Sequence, residues 1–117
     1  MPMPPSTPPD VATLLPLPPA VFHILVSLAA RDAHGYAIMQ EVADRAGVRL
    51  GPGTLYTTIR RLLDQGLVAE RRSAPGGDSD DPRRRYYRLT SYGRAAARAE
   101  AARLSDLVRQ ARTLWLA

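Results

Sequence analysis

Apolar residues recur at helical spacing in three stretches of the first part of the chain. The first, residues 20–30, is apolar almost all round and follows Pro19, which suits the first position of a helix because no amide donor is needed there. The second, residues 36–46, ends before Gly47, a residue that can adopt the left-handed conformation of a helix C-cap. The third, residues 52–65, again opens with a proline. The pattern predicts three consecutive helices.

A different pattern follows the third helix. Residues 67–72 and 83–89 are typical of strands, and the ten residues between them are rich in glycine, proline and aspartate, which predicts a hairpin. Thr90 can then cap a last helix over 91–115, about 37 Å long at 1.5 Å per residue. Three helices, a two-stranded wing and a long helix make a mainly α fold: a winged helix-turn-helix with a C-terminal dimerisation helix.

The domain organisation follows from the same pattern. Residues 1–18 are predicted to be a disordered, extended arm because eight of the first 19 residues are proline, and the arm either only links or packs across a partner. Residues 19–90 form the winged helix-turn-helix domain and residues 91–117 the dimerisation helix. A first helix with so little polar surface, and a last helix longer than the domain is wide, both predict a homodimer. The predicted interface residues are Val21, Leu25, Leu104, Val108, Ala111 and Trp115.

Composition excludes several classes of protein. The absence of cysteine rules out disulfides and thiolate metal sites, and two separated histidines, His23 and His34, predict no metal site and no cofactor. No apolar run approaches the roughly 20 residues of a membrane span, and no basic leader is present, so we expect a cytoplasmic protein. No pair of side chains suited to catalysis is visible, which argues against an enzyme.

The net charge of +5 is unevenly distributed along the chain. Residues 1–44 carry −3, whereas residues 45–98 hold twelve arginines against five acidic residues, a net of +7. Positive charge concentrated in one part of a chain is typical of a surface that binds a polyanion. Double-stranded DNA is therefore the predicted partner.

The third predicted helix has a polar face suited to the major groove. Leu55, Ile59 and Leu62 define its buried side, so residues at the opposite side can meet base edges and phosphates. The candidate DNA-binding residues of this helix are Pro52, Thr54, Tyr56, Thr57, Thr58, Arg60 and Arg61. An ordinary solvated helix face is the alternative that this pattern alone leaves open.

The second predicted strand supplies an independent indication. Arg83, Arg84 and Arg85 stand at its start, with Arg71 and Arg72 on the strand opposite. Such a cluster is costly in self-repulsion unless a polyanion or counterions neutralise it, although three aspartates at the wing tip offset part of the charge. The three consecutive arginines complete the candidate DNA-binding set.

Four motifs together resemble those of the PadR family of transcriptional regulators. They are HGYAI at 34–38, GPGTLY at 51–56, LLDQGLV at 62–68 and RYYRLTSYG at 85–93, in order and at compatible spacing within residues 20–115. The resemblance implies a homodimer, usually a repressor, that places two recognition helices on an inverted-repeat operator. It also implies that Pro52, Thr54 and Tyr56 lie at the DNA surface, with the Tyr56 hydroxyl on a phosphate.

Further details follow from the resemblance. Members with one C-terminal helix dimerise by crossing it over the partner's first helix, and some bind flat aromatic effectors with a tryptophan. Trp115 and Phe22 are the candidate effector-binding residues, while simple packing is the alternative for Trp115. Gly51 and Thr57 depart from the family pattern, in which serine precedes the PGTLY motif and proline often follows it. A winged helix used only as a protein-interaction module is the alternative function.

Overall fold

The computed structural model describes residues 7–71 and 85–115. A short 3-10 helix precedes four α-helices and three strands, in the order helix, strand, helix, helix, two strands, long helix. The elements are the 3-10 helix Val11–Leu14, α1 Pro19–Ala30, β1 Ala33–His34, α2 Gly35–Ala46, α3 Pro52–Asp64, β2 Val68–Arg71, β3 Tyr86–Leu89 and α4 Ser91–Trp115. The predicted fold class is confirmed, and the bounds of α1 to α4 follow the sequence pattern closely.

The sheet contains one strand that the sequence pattern did not predict. All three strands are antiparallel in the order β1-β3-β2. β1 pairs Ala33 with Tyr87 and His34 with Tyr86, in the stretch between the first two predicted helices. Two residues are too few for an alternating pattern, so pairing with β3 creates this strand. The parts of the predicted hairpin within residues 72–84 lie outside the described residues.

The hydrophobic core lies among α1, α2, α3, the sheet and the start of α4. Its fully buried side chains include Ile24, Leu25, Ile38, Val42, Leu55, Leu62 and Leu67. Val21 and Leu25, two of the predicted dimer-interface residues, are only 6% and 0% exposed in a single subunit and belong to its own core. α1 is apolar all round because α2, α3, α4 and β3 of its own subunit cover it.

Thr90 joins the start of α4 to the start of the wing. Its side-chain oxygen accepts a hydrogen bond from the Gly93 amide at 2.9 Å, the predicted N-cap contact. Its hydroxyl points to the carbonyl oxygens of Gly66 and Leu67, at 2.7 and 3.0 Å. α4 therefore leaves the domain from a fixed position. No helix within residues 7–71 and 85–115 has the length and hydropathy needed to cross a membrane.

The amino-terminal residues are more structured than predicted. An extended, mobile arm is wrong for residues 7–18, because Val11–Leu14 form a 3-10 helix and Leu17 is buried. Asp10 caps this turn by accepting a hydrogen bond from the Ala12 amide at 3.1 Å. Apolar side chains between the prolines pack onto the core. The free energy of burying them outweighs the hydrogen bonds that are lost because proline has no amide donor.

Glu100 is a buried carboxylate that faces this segment, and sequence reasoning did not single it out. It is 2% exposed and accepts two hydrogen bonds from Arg103, at 2.7 and 2.9 Å. The Arg103 guanidinium, and next the backbone amide of Leu17, hold the pKa of Glu100 below its ordinary 4.5, although burial opposes them. The charged form is therefore the one that the fold stabilises.

We expect Glu100→Gln to lower the thermal midpoint by a few degrees at neutral pH, because the ionic part of both contacts is lost. A depressed pKa contributes stability above the unfolded-state value, and that stability disappears as the pH falls through the folded-state value. The difference between the two proteins should be constant above pH 4.5 and shrink below it. Thermal unfolding followed by circular dichroism from pH 3 to 7 measures this difference, and a constant difference at every pH would contradict the assignment.

Candidate nucleic-acid interface

α3 presents one apolar and one basic face. Leu55, Ile59 and Leu62 are 0 to 2% exposed and point into the core. Thr57, Arg60 and Arg61 are exposed on the opposite side, as predicted from their spacing. Thr58 lies on the flank and is half-buried. Among residues 7–71 and 85–115 neither arginine forms an ion pair, so both guanidinium groups are available to a ligand.

The amino terminus of α3 is open. Pro52 and Thr54 are exposed, and Gly51 offers no side-chain cap. The first bond along the helix runs from the Leu55 amide to the Gly51 carbonyl at 2.9 Å, so the helix itself leaves the amides of Gly53 and Thr54 without acceptors. These amides, together with the helix dipole, favour an anion at this end.

Tyr56 ties α3 to the amino terminus of α2. Its side chain lies so close to Gly35 that a β-carbon at position 35 would stand 2.6 Å from the phenol oxygen. Tyr56 nevertheless remains 44% exposed, so its hydroxyl can still meet a ligand. A side chain at position 35 would therefore displace the Tyr56 ring from its present position.

Tyr36 is a surface residue that our reading of α2 placed among the apolar positions. It is 66% exposed, whereas Ile38 and Val42 are fully buried. At 100° per residue, position 36 lies 200° from position 38, so the helical angle alone places it on the outer side. Tyr36 thus stands beside the Gly35–Tyr56 contact, at the same end of the domain as the start of α3.

His34 is half-buried where α2 meets the sheet. Its Nδ1 accepts a hydrogen bond from the Ala37 amide at 3.1 Å and caps α2. Its ring lies edge-on to Tyr86, with 5.5 Å between the ring centroids. This geometry places the proton of the neutral ring on Nε2. His34 therefore has a structural role at the junction of α2 with the sheet.

A groove of about 430 Å³ separates α3 from the strands of the wing. Its polar lining consists of Tyr56, Thr57, Arg60, Glu70, Arg85 and Tyr87. Tyr87 is buried, and that burial, followed by the charge of Glu70, raises the pKa of its phenol. The phenol is neutral at physiological pH. The groove connects the basic face of α3 to the base of the wing.

The arginines at the base of the wing are partly neutralised within the subunit. Arg85 is exposed and forms an ion pair with Glu70 at 3.2 Å, and Arg71 pairs with Asp32 at 2.9 Å. The repulsion that we expected a polyanion or counterions to neutralise is therefore relieved for these two by carboxylates of their own subunit. Sequence spacing could not reveal that pairing, since Asp32 is 39 residues from Arg71. Arg83 and Arg84 lie outside the described residues.

The two candidate effector-binding residues differ in their burial. Phe22 is half-buried and packs against the core of its own domain. Trp115 is 82% exposed on the last turn of α4 and does not belong to that cluster. Within the described ranges no group of three or more histidine, aspartate or glutamate side chains is arranged to hold a metal ion.

A family model described as the transcriptional regulator PadR-like family matches residues 24–99. The chain belongs to this family. It is 39% identical over 88 residues to the transcriptional regulator Rv3488 of Mycobacterium tuberculosis, a match that covers 75% of this chain and 78% of the relative.

Solved structures agree with this assignment. A PadR family transcriptional regulator from Eggerthella lenta has a TM-score of 0.65 and 32% identity, covering 89% of this chain and 83% of the other. The winged-helix DNA-binding protein F93 from STIV has a TM-score of 0.62 at 21% identity, covering 74% of this chain and 88% of the other. The second match shows the shared fold alone. The PadR-like family consists of transcriptional regulators, not enzymes, which confirms that expectation.

Proposed function

We propose that this PadR-like regulator binds double-stranded DNA as a homodimer, at an inverted-repeat operator, and represses transcription in the cytoplasm. The observation that carries the proposal is the basic face of α3. Arg60 and Arg61 are exposed and lack ion pairs within residues 7–71 and 85–115, and Arg60 lines the groove. Two unneutralised guanidinium groups on one helix face are suited to a polyanion with readable edges.

In this proposal each part of the face has a role. With α3 in the major groove, Arg60 and Arg61 reach base edges, where the planar fork of arginine can bond guanine twice. The free amides at the start of α3 and the Tyr56 hydroxyl contact phosphates on one side. Arg85 contacts the backbone from the wing, exchanging Glu70 for a phosphate. These phosphate contacts fix register, and the helix arginines supply sequence preference.

The carboxyl-terminal half of α4 supports the dimer. Leu107, Val108, Leu114 and Trp115 are 47, 51, 76 and 82% exposed in one subunit. Leu104 and Ala111 lie on the same side and are half-buried. An exposed apolar stripe of this length is typical of a protein interface, and a second copy would present a second α3. Phe22 and Val26 of α1 are half-buried and remain available for that contact.

Release by a small aromatic effector is part of the same proposal. The Trp115 ring is exposed, so it can stack on a flat ligand held between the two α4 helices. A ligand there would change how the subunits pack, and hence the spacing of the two α3 helices. Winged-helix contact with another protein remains the second candidate function, favoured by the two internal ion pairs that already neutralise part of the wing.

DNA sequences selected by the protein from a random duplex pool test the proposal. We expect Arg61→Ala to weaken binding by about 1–3 kcal/mol and to relax preference at one base position, because a bidentate contact is lost. Arg98→Ala, an exposed arginine on α4, is the matched control and should change little. Fluorescence anisotropy at several salt concentrations measures both variants. A folded dimer that binds no duplex even at low salt would favour the protein-interaction module.

A further inference from the structure

Residues 9–17, called here the strap, lie outside the region that matches the family model, residues 24–99. They are nevertheless built into the fold. Val11, Leu14 and Leu15 pack against the hydrophobic core, and Leu17 is only 6% exposed. The 3-10 helix of the strap lies along α4, the helix that carries the proposed dimer contact. The strap is therefore a feature of this chain that the shared family region does not explain.

Two polar ties attach the ends of the strap to α4. The Tyr92 hydroxyl donates a hydrogen bond to the Pro9 carbonyl at 2.6 Å. The Leu17 amide faces the Glu100 carboxylate and helps to lower its pKa, and Arg103 holds that carboxylate with two hydrogen bonds. Positions 92 and 100 are eight residues apart, about 12 Å along the helix. Two ties at that separation restrain the direction of α4 as well as its position.

The ties lie at the point where α4 leaves its own domain. The buried residues of α4 are Gly93, Ala96 and Glu100. From Leu104 onward the helix has no fully buried residue within the described range, and its large apolar side chains at 107, 108, 114 and 115 are exposed. The strap thus restrains the stretch of α4 between the winged-helix domain and the apolar stripe.

A small rotation at this point has a large effect at the far end. Val108 is 17 residues beyond Ser91, about 26 Å along the axis, so a tilt of about 10° moves it by about 4.5 Å. In a dimer joined through this part of α4, the same tilt moves each α3 relative to its mate. One base pair of duplex DNA spans about 3.4 Å, so the displacement exceeds one step of the operator.

We propose that the strap sets the angle between α4 and the winged-helix domain, and thereby the half-site spacing that the dimer accepts. The effect on half-site spacing rests on the proposed DNA binding by a dimer. The angle itself is a property of one subunit. Tyr92 and Glu100 are positioning residues in this account, since neither contacts DNA. Tyr92→Phe removes one tie and Glu100→Gln weakens the other by removing its charge, so the two changes together should loosen the helix without deleting the apolar packing.

Distance measurements on the full chain test the angle directly. The sequence lacks cysteine, so Gln40→Cys on α2 and Thr113→Cys on α4 introduce two exposed spin-label sites. Labelled protein is diluted with unlabelled protein, so that each measured distance lies within one subunit. Adding Tyr92→Phe and Glu100→Gln should broaden or shift the distribution by up to about 6 Å, since Thr113 lies about 33 Å beyond Ser91 and a tilt of about 10° moves it that far. Asp106→Asn, which also removes a carboxylate paired with an arginine three residues on, should leave it unchanged.

Operator spacing supplies the second measurement. Duplexes carrying the two selected half-sites are made with one base pair more or fewer between them. The preference of the unmodified protein for its own spacing should fall by about fivefold in the Tyr92→Phe, Glu100→Gln variant, the factor that one hydrogen bond of ordinary strength allows. Affinity for a single half-site should not change. Circular dichroism at the assay temperature confirms that the variant is folded.

The outcomes separate the two proposals. An unchanged distance distribution in the folded double variant overturns the role of the strap. If the distance distribution changes but the spacing preference does not, the strap sets the angle within one subunit only, and its proposed effect on operator spacing is overturned. A protein that selects no duplex, but whose α4 angle changes in the variant, overturns the proposed function while the angular restraint stands.

Discussion

Val108→Asp is expected to separate the subunits and to weaken binding to a two-half-site duplex by about 100-fold or more. Val108 lies at the centre of the exposed apolar stripe of α4 and is 51% exposed in one subunit, so an aspartate there costs the monomer little. In the dimer the same carboxylate would be buried against its symmetry mate, where two unpaired charges are strongly unfavourable. Linked recognition helices gain from effective concentration, and a monomer loses that gain.

Sedimentation velocity gives the oligomeric state of the variant, and anisotropy gives its affinity for one and for two half-sites. Affinity for a single half-site should be kept, because the α3 face is untouched. Thr113→Asp is the matched control: it puts the same charge on the same helix, about 180° from the stripe at 104. A Val108→Asp protein that remains dimeric and binds with full affinity would exclude this stripe as the interface.

Gly93→Ala is expected to destabilise the fold by about 3 kcal/mol or more, because the added β-carbon would overlap backbone atoms that are held in place. A β-carbon at this position would lie well inside contact distance of the Leu67 carbonyl oxygen and 2.8 Å from a methyl carbon of Leu89. The same carbonyl accepts a hydrogen bond from the Thr90 amide at 3.2 Å. Moving it would disturb the start of both the wing and α4.

Thermal unfolding at fixed protein concentration should show a midpoint lower by about 12 °C or more. Gly53→Ala is the matched control, since it is also a helical glycine but has no atom within 4 Å of the added carbon. That variant should keep or slightly raise the midpoint, because alanine favours helix. A Gly93→Ala protein as stable as the parent would mean that α4 is attached more loosely than its contacts indicate.

The helices of this chain are predictable because a local signal marks at least one end of each. Proline at 19 and 52, glycine at 47 and threonine at 90 set boundaries that the structure reproduces. The burial of α1 was misjudged for a physical reason: periodicity shows that a helix is apolar all round, but not whether its own subunit or a partner covers it. β1 and the strap were missed because tertiary contacts stabilise both against weak or contrary local propensity.

The candidate DNA-binding face was predictable to the same extent. Helical angles place Thr57, Arg60 and Arg61 opposite the core, and the structure agrees. The partners of Arg71 and Arg85 depend on how the strands pair, which spacing along the chain does not encode. Glu100 gave no signal in the sequence, because a single acidic residue in a helix rich in arginine normally indicates a solvated surface.

In the proposed complex, the contact between Gly35 and Tyr56 also affects the thermodynamics of operator recognition. The phenol ring lies against the backbone at the start of α2, which limits its rotamers on that side, while the residue stays 44% exposed. Part of the conformational entropy of orienting that hydroxyl is therefore lost when the protein folds. A phosphate that accepts its hydrogen bond would then lose less binding free energy to ordering, as preorganised binding groups generally allow.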